Sequence, residues 1–160
     1  MSVCRTCELV QRRDEGGAPP WDLIVRTPSW DLVHAFGTSV EGWLVLVLRR
    51  HLTALADLSD AEAATLGPLI RSTSIALREV LRCEKTYVVQ FAEHEEHPHV
   101  HVHVIARMPD QPDDMQGPRI FSRAGVADGD AVPETRMNEI ALAIRAQLDP
   151  ATGLLRAAPA

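Results

Sequence analysis

Apolar runs separated by turn-forming residues predict a series of short strands in this chain. Residues 30–36 and 43–48 have the apolar content of buried strands, and the polar segment 38–42 between them predicts a tight turn. Residues 86–92 predict a third strand, and residues 97–105 a fourth in which histidine and valine alternate. Because short turns join neighbouring strands, the pattern favours an antiparallel sheet.

Two segments carry apolar residues at helical spacing. Residues 59–62 have the spacing of a capping box, which predicts a helix that begins there and continues to about Leu81. The pair Gly67-Pro68 interrupts this pattern, so we expect the helix to bend in its first turns or to restart at Pro68. Residues 134–148 predict a C-terminal helix. A mainly antiparallel sheet with a long helix packed on it is an α+β fold.

Two other segments lack periodicity. Residues 1–20 contain two cysteines, a Gly-Gly pair and a Pro-Pro pair, and are expected to be mostly irregular. Residues 108–133 hold four prolines and five aspartates and predict a long loop, either a solvated excursion or a lid beside a site. We expect one domain over residues 1–160, with its core in about residues 1–107.

Composition restricts the classes of partner. The net charge of −6 gives no electrostatic attraction to duplex nucleic acid. No apolar run approaches the roughly 20 residues of a membrane span, and no signal-peptide core is visible, so we expect a cytoplasmic protein without a membrane partner. Three cysteines, an odd number, do not suggest a disulfide framework.

Four histidines at strict two-residue intervals are the main candidate for chemistry. They are His97, His99, His101 and His103. In an extended strand they share one face, and the intervening valines share the other. An imidazole, with an ordinary pKa of about 6.5, acts as base, acid, nucleophile or ligand near neutral pH.

The segment from His99 to Ile105 resembles the signature of the histidine-triad (HIT) family of nucleotide hydrolases and transferases. That signature is His-φ-His-φ-His-φ-φ, where φ is apolar, and here Arg107 follows it. Residues 42–51, an apolar strand that ends in Arg-Arg-His, are also similar to the central hairpin strand of the family. The resemblance covers about residues 1–107. It implies a HIT-like fold and a homodimer.

The resemblance also implies roles for individual residues. The middle histidine, His101, would attack the α-phosphorus of a nucleotide and form a covalent nucleotidyl-histidine. His99, the first histidine of the triad, would belong to the same catalytic site. His103 would donate a hydrogen bond to a phosphate oxygen or assist the leaving group. Gln90 would contact the substrate, or it is a polar strand residue without that role. The implied substrates are nucleoside phosphoramidates or dinucleoside polyphosphates.

The segment 93–97, Glu-His-Glu-Glu-His, departs from the small polar residues that the family commonly has before the triad. These carboxylates repel a polyphosphate unless histidine, Arg107 or a metal ion compensates, or they point to solvent. Phosphoramidates, mixed anhydrides and a Mg²⁺-complexed substrate therefore stay open.

A Cys-x-x-Cys pair precedes the predicted sheet and is by itself a weak metal signal. The resemblance implies a structural zinc site made of Cys4, Cys7, His51 and His99. His97 is the alternative to His99, and a free or redox thiol pair is the alternative to zinc. Cys83 and His34 are interpreted as structural residues.

Two further functions stay open. The four alternating histidines would hold a catalytic metal ion in a metalloenzyme, although one strand spaces them too widely for a single ion. A nucleotide sensor without catalysis would use the same fold. Whether the protein is a nucleotide hydrolase or a nucleotide sensor, we expect an apolar base pocket near the early strands, involving Ile24 or Trp30.

Overall fold

The computed structural model describes residues 4–156 of the chain. Within them the strands form one five-stranded antiparallel sheet in the order β1-β2-β3-β5-β4. The strands are β1 (Val25–Arg26), β2 (Trp30–His34), β3 (Trp43–Leu48), β4 (Lys85–Val89) and β5 (His101–Arg107). The helices are α1 (Arg5–Asp14), α2 (Asp60–Leu81) and α3 (Glu134–Gln147). No helix among residues 4–156 combines the length and apolar character needed to cross a membrane.

Strand β5 has two faces with different surroundings. Val102 and Val104 turn into the larger apolar core, which lies between the sheet and helices α2 and α3. His101 and His103 turn to the opposite face, where a cavity is lined in part by β2 and β3. The alternation predicted from the sequence is confirmed for this part of the segment. The expected start at residue 97 is wrong, because the strand begins only at His101.

Helix α2 begins as the capping box predicts. The hydroxyl of Ser59 accepts a hydrogen bond from the backbone N–H of Glu62, whose carboxylate accepts one from the N–H of Ser59 at 2.8 Å. The helix continues without a break through Pro68, so the predicted restart is wrong. Burial of Leu69 and Leu77 in the core offsets the hydrogen bond that proline removes.

The prediction of an irregular N-terminal segment is wrong for residues 5–14, which form α1; residues 1–3 of that prediction lie outside the described residues. Val10 packs this helix against the histidine face of the sheet. The buried guanidinium of Arg13 donates to the buried carboxylate of Asp22 at 2.7 Å. The apolar stripe of α1 is narrow, and this is why periodicity did not reveal the helix.

The segment 108–133 contains two 3₁₀ helices, Asp113–Met115 and Gly117–Arg123, and otherwise lacks regular structure. The second one packs Ile120 and Phe121 on the histidine face of the sheet. The part of the chain that was expected to be a loop therefore helps to enclose that face.

Candidate functional site

A cavity of about 620 Å³ lies on the histidine face of the sheet. Its floor includes Val45 and Val47 of β3 together with His101 and His103 of β5, and α1 forms one wall through residues such as Leu9. The lining is therefore mostly apolar, with imidazoles concentrated at one side. This combination suits a ligand with an aromatic part and an anionic part.

His101 has a fixed tautomer. Its Nδ1 lies 2.6 Å from the backbone oxygen of His99. A carbonyl oxygen only accepts, so Nδ1 carries the proton and Nε2 keeps its lone pair. Burial lowers the pKa of His101, which favours the neutral ring. The unprotonated Nε2 of His101 is therefore available as a nucleophile.

His103 has the opposite arrangement. The indole Nε1–H of Trp43 donates to Nδ1 of His103 at 2.9 Å. Burial, together with the nearby His101, lowers the pKa of His103 to about 3, so the ring is neutral and its proton resides on Nε2. The two rings meet edge to face with centroids 4.9 Å apart. Neighbouring imidazoles therefore offer a lone pair on one Nε2 and an N–H on the other.

Aromatic side chains cover this pair of rings. Phe121 lies edge-on to His103, with ring centroids 5.5 Å apart, and to Trp43 at 5.2 Å. Phe91 packs against Phe121 in turn, again at 5.2 Å. Sequence reasoning did not identify Trp43, Phe91 or Phe121 as site residues, because none of them belongs to the histidine motif.

The four alternating histidines do not all line one surface. His97 lines the same cavity as His101 and His103, and its Nδ1 lies 2.8 Å from the hydroxyl of Thr6. His99 is fully buried and lies outside the lining of the cavity. The prediction of a single histidine face is wrong for His99, because the chain before β5 is not yet a regular strand.

His99 joins Cys4, Cys7 and His51 in a compact cluster whose ligand atoms all lie within 4.8 Å of one another. Nδ1 of His99 lies 3.6 Å from Sγ of Cys4 and 3.5 Å from Sγ of Cys7. Nδ1 of His51 lies 3.3 Å from Sγ of Cys7. Around a tetrahedral zinc ion, ordinary bond lengths place a sulfur and a nitrogen about 3.6 Å apart. The donor set and its spacing therefore fit zinc.

The tautomer of His99 also fits a metal ion. Its Nε2 lies 2.6 Å from the backbone oxygen of Leu48, which only accepts, so Nε2 carries the proton and the lone pair of Nδ1 faces the two sulfurs. Burial and the adjacent Cys4 raise the pKa of Cys7 to about 11. A cation at this position would stabilise the thiolate.

A second group of possible ligands, His94, Glu96 and His97, lies before β5. Its groups already have other partners: Glu96 pairs with Arg5 at 3.3 Å, and its backbone N–H donates to Nδ1 of His94 at 3.2 Å. Neither of the two groups found among residues 4–156 contains His101 or His103. The four-histidine metal centre considered from the sequence is therefore not formed.

Several residues that were singled out in the sequence lie away from the cavity. Gln90 follows β4 and is not part of the lining, and Arg107 pairs with Glu84. Ile24 and Trp30 are buried in the core on the opposite face of the sheet, so the expected base pocket at these two residues is wrong. Glu93 does line the cavity.

The two residues interpreted as structural have surroundings that suit this interpretation. His34 is completely buried; its Nδ1–H donates to the oxygen of Ala35 at 2.7 Å, and its Nε2 accepts from the N–H of Gly42 at 3.2 Å. Burial lowers its pKa. Cys83 is buried in the larger core.

Comparisons with known proteins agree on the fold. The HIT domain family model matches residues 20–110, which is more than half of the chain. No curated protein matches the chain.

Solved structures extend this likeness over most of the chain. A histidine triad protein from Bradyrhizobium japonicum is 24% identical, with a TM-score of 0.64 over 84% of this chain and 92% of its own. A histidine triad protein from Sinorhizobium meliloti is 22% identical, with a TM-score of 0.65 over 86% and 94%. A zinc-bound histidine triad family protein from Mycobacterium smegmatis is 16% identical, with a TM-score of 0.65 over 91% and 94%. At these identities the likeness establishes the fold.

Proposed function

The chain belongs to the HIT domain family, and from this membership we propose that it is a nucleotide hydrolase or nucleotidyltransferase. It cleaves at the α-phosphate of a nucleoside phosphoramidate or a dinucleoside polyphosphate through a covalent nucleotidyl-histidine. The hydrogen bond from Nδ1 of His101 to the oxygen of His99 carries this proposal, because it leaves a lone pair on Nε2 in a cavity of suitable size.

In the first step Nε2 of His101 attacks the α-phosphorus, and the bond from phosphorus to the leaving group breaks with its electron pair departing on that group; an amine leaving group must in addition take up a proton. The positive charge that develops on the ring is stabilised by the backbone oxygen of His99. The Nε2–H of His103 donates a hydrogen bond to a phosphoryl oxygen. In the second step water, or another acceptor, attacks phosphorus and loses a proton to solvent, and the N–P bond breaks with its electron pair returning to Nε2. A substrate contact by Gln90 stays a prediction, and the position of this residue outside the cavity lining argues against it.

We also propose that Cys4, Cys7, His51 and His99 bind a structural zinc ion. All four positions of a tetrahedral site are then filled by protein atoms, so no position is open for activating water. Participation of Mg²⁺ with the substrate, assembly as a homodimer and location in the cytoplasm stay predictions.

Intact-protein mass spectrometry tests the nucleophile. The protein is quenched seconds after mixing with adenosine and guanosine phosphoramidates and dinucleoside polyphosphates. We expect an added nucleoside monophosphate on the wild type and none on His101→Ala, together with a fall in turnover of at least about 1,000-fold. Lys85→Ala, which removes an exposed side chain outside the cavity lining, is the control and retains the adduct.

Turnover that survives in His101→Ala would contradict the mechanism. A second function, nucleotide sensing, would be favoured if the wild type bound these nucleotides without turnover and His101→Ala bound them equally well. Retention of zinc and of the circular dichroism spectrum shows that the variants are folded.

A further inference from the structure

The contact between Trp43 and His103 restricts the chemistry that His103 can perform. An indole N–H donates a hydrogen bond and cannot accept one, so Nδ1 of His103 must present a lone pair to it at 2.9 Å. An imidazolium would place two N–H groups against each other. The protonated ring is therefore excluded as long as the contact persists.

The surroundings hold the contact in place. Trp43 is 2% exposed, and the edge of Phe121 packs on both Trp43 and His103. In the sheet, Val45 lies opposite His103, so Trp43 is its diagonal neighbour on the same face of β3. The indole is thus fixed both by the strand register and by the aromatic packing.

We propose that Trp43 is a positioning residue that keeps His103 a neutral Nε2–H donor, and that the enzyme therefore acts on nucleotide anhydrides whose leaving group departs as a carboxylate or phosphate. This inference rests on the proposed function and narrows its substrates. His103 stabilises the charge on the phosphoryl oxygens but does not supply a proton to the leaving group.

The electrons and protons that move in the first step explain the preference for an anionic leaving group. The lone pair on Nε2 of His101 forms the N–P bond, the P–O bond breaks, and its electron pair leaves on the carboxylate or phosphate oxygen, so no proton is needed. An amine leaving group must take up a proton. A neutral His103 that gave its only N–H proton would become an imidazolate, a far less stable species near neutral pH.

The charge of the cavity wall narrows the leaving group further. Glu93 lines the same cavity as His101 and His103, and Glu95 is an exposed neighbour in the same loop. The carboxylate of Glu93 repels a leaving group that carries several phosphates. A mixed anhydride with a carboxylate or a single phosphate satisfies both the charge of the wall and the chemistry of His103.

The kinetic test uses two substrates that share one nucleoside. The mixed anhydride of AMP and acetate has a leaving group that departs as an anion, and the AMP phosphoramidate of an alkylamine has one that needs a proton. Each rate of AMP release is measured for the wild type, Trp43→Phe and Trp30→Phe. The ratio of the two rates cancels effects that act equally on both substrates.

We expect the wild type to prefer the anhydride, and the preference to fall at least tenfold in Trp43→Phe, because Nδ1 of His103 is then free to take up a proton while its Nε2–H protonates the amine leaving group. Trp30→Phe is the matched control. This indole is equally buried, but it lies on the other face of the sheet, where its N–H donates to the backbone oxygen of Glu62 at 3.3 Å. Its ratio stays that of the wild type. A wild type that prefers the phosphoramidate, or an unchanged ratio in Trp43→Phe, overturns the proposal.

Nitrogen-15 NMR of the histidine rings tests the hydrogen bond without turnover. In the wild type we expect Nδ1 of His103 to be bare and Nε2 to be protonated; in Trp43→Phe a mixture of tautomers replaces this state. A protonated Nδ1 in the wild type overturns the role of Trp43. If neither substrate is turned over while the tautomer is as expected, the proposed function fails and the leaving-group inference fails with it, but the role of Trp43 in positioning the ring stands.

Discussion

His101 and His103 differ in the atom that faces Nδ1, a backbone oxygen in one ring and an indole N–H in the other. The resemblance of the sequence to the HIT signature assigned a role to each of these two histidines. It did not identify Trp43 as the partner of His103. That partnership depends on the register of β3 against β5, and a sequence pattern does not specify which residues of two strands lie diagonally opposite.

At the same scale, the turn before β3 depends on a single glycine. Gly42 has a φ of +74°, and a Cβ at this position would overlap the side chain of Leu81 and lie 3.1 Å from that of Leu77. We expect Gly42→Ala to lower the free energy of unfolding by about 2–5 kcal/mol, through backbone strain and overpacking together. Urea unfolding measures this change.

Gly37→Ala separates the two contributions. Gly37 has a similar φ of +61°, but nothing lies within 4 Å of an added Cβ. This variant should lose only about 1–2 kcal/mol. Equal losses in the two variants would contradict the packing explanation.

Strand β3 and helix α2 show where prediction from the sequence succeeded, and helix α1 shows where it failed. The sequence predicted β3 and α2 closely, because a dense apolar run and a capping box are local signals. It missed α1, whose position against the sheet depends on partners distant in sequence. Cys4 and Cys7 lie at the start of this helix, whereas their partners His51 and His99 follow β3 and precede β5.

Because Cys4 and Cys7 lie at the start of α1, we expect the proposed zinc site to influence substrate affinity. Thr6, Leu9 and Arg13 of this helix line the cavity, so releasing the start of α1 moves one wall. We expect Cys7→Ser to lose zinc and to raise KM about tenfold or more, with a smaller loss in kcat. Metal content and steady-state kinetics check this.

Cys83→Ser is the control for that experiment, because its thiol is buried in the core and is not part of the cluster. Its zinc content and KM should match those of the wild type. If Cys7→Ser lowered kcat by a larger factor than it raised KM, this would contradict the explanation that the cluster acts by positioning α1 as a wall of the cavity.

For the whole molecule, the buried neutral imidazoles link stability to pH. Burial lowers the pKa values of His34, His101 and His103 below the unfolded value of about 6.5. Between about pH 6.5 and the lower folded values the unfolded chain binds more protons, so stability rises with pH. This stabilisation is fully present above about pH 6.5 and is lost as the pH falls through the folded pKa values.

Urea unfolding from pH 7.5 to pH 4.5 tests this linkage. We expect the free energy of unfolding of the wild type to fall steadily below about pH 6.5, and to fall less steeply in His34→Gln, which removes one buried titrating ring. His94→Ala, which removes an exposed ring, is the control. An identical slope for His34→Gln and the wild type would contradict the contribution of His34.

The place of β5 inside the sheet has a consequence for preorganisation. This strand pairs with β3 from His101 onward and with β4 from His103 onward, so the backbone that carries the two histidines moves only when the sheet itself opens. Both Nε2 atoms are therefore in position before a ligand arrives, and the proposed reaction would need little reorganisation energy. The walls made by α1 and by the segment around Phe121 lie outside the strand ladder. We therefore expect these walls to adjust to ligands of different shape, while the sheet keeps the two histidine rings in fixed positions.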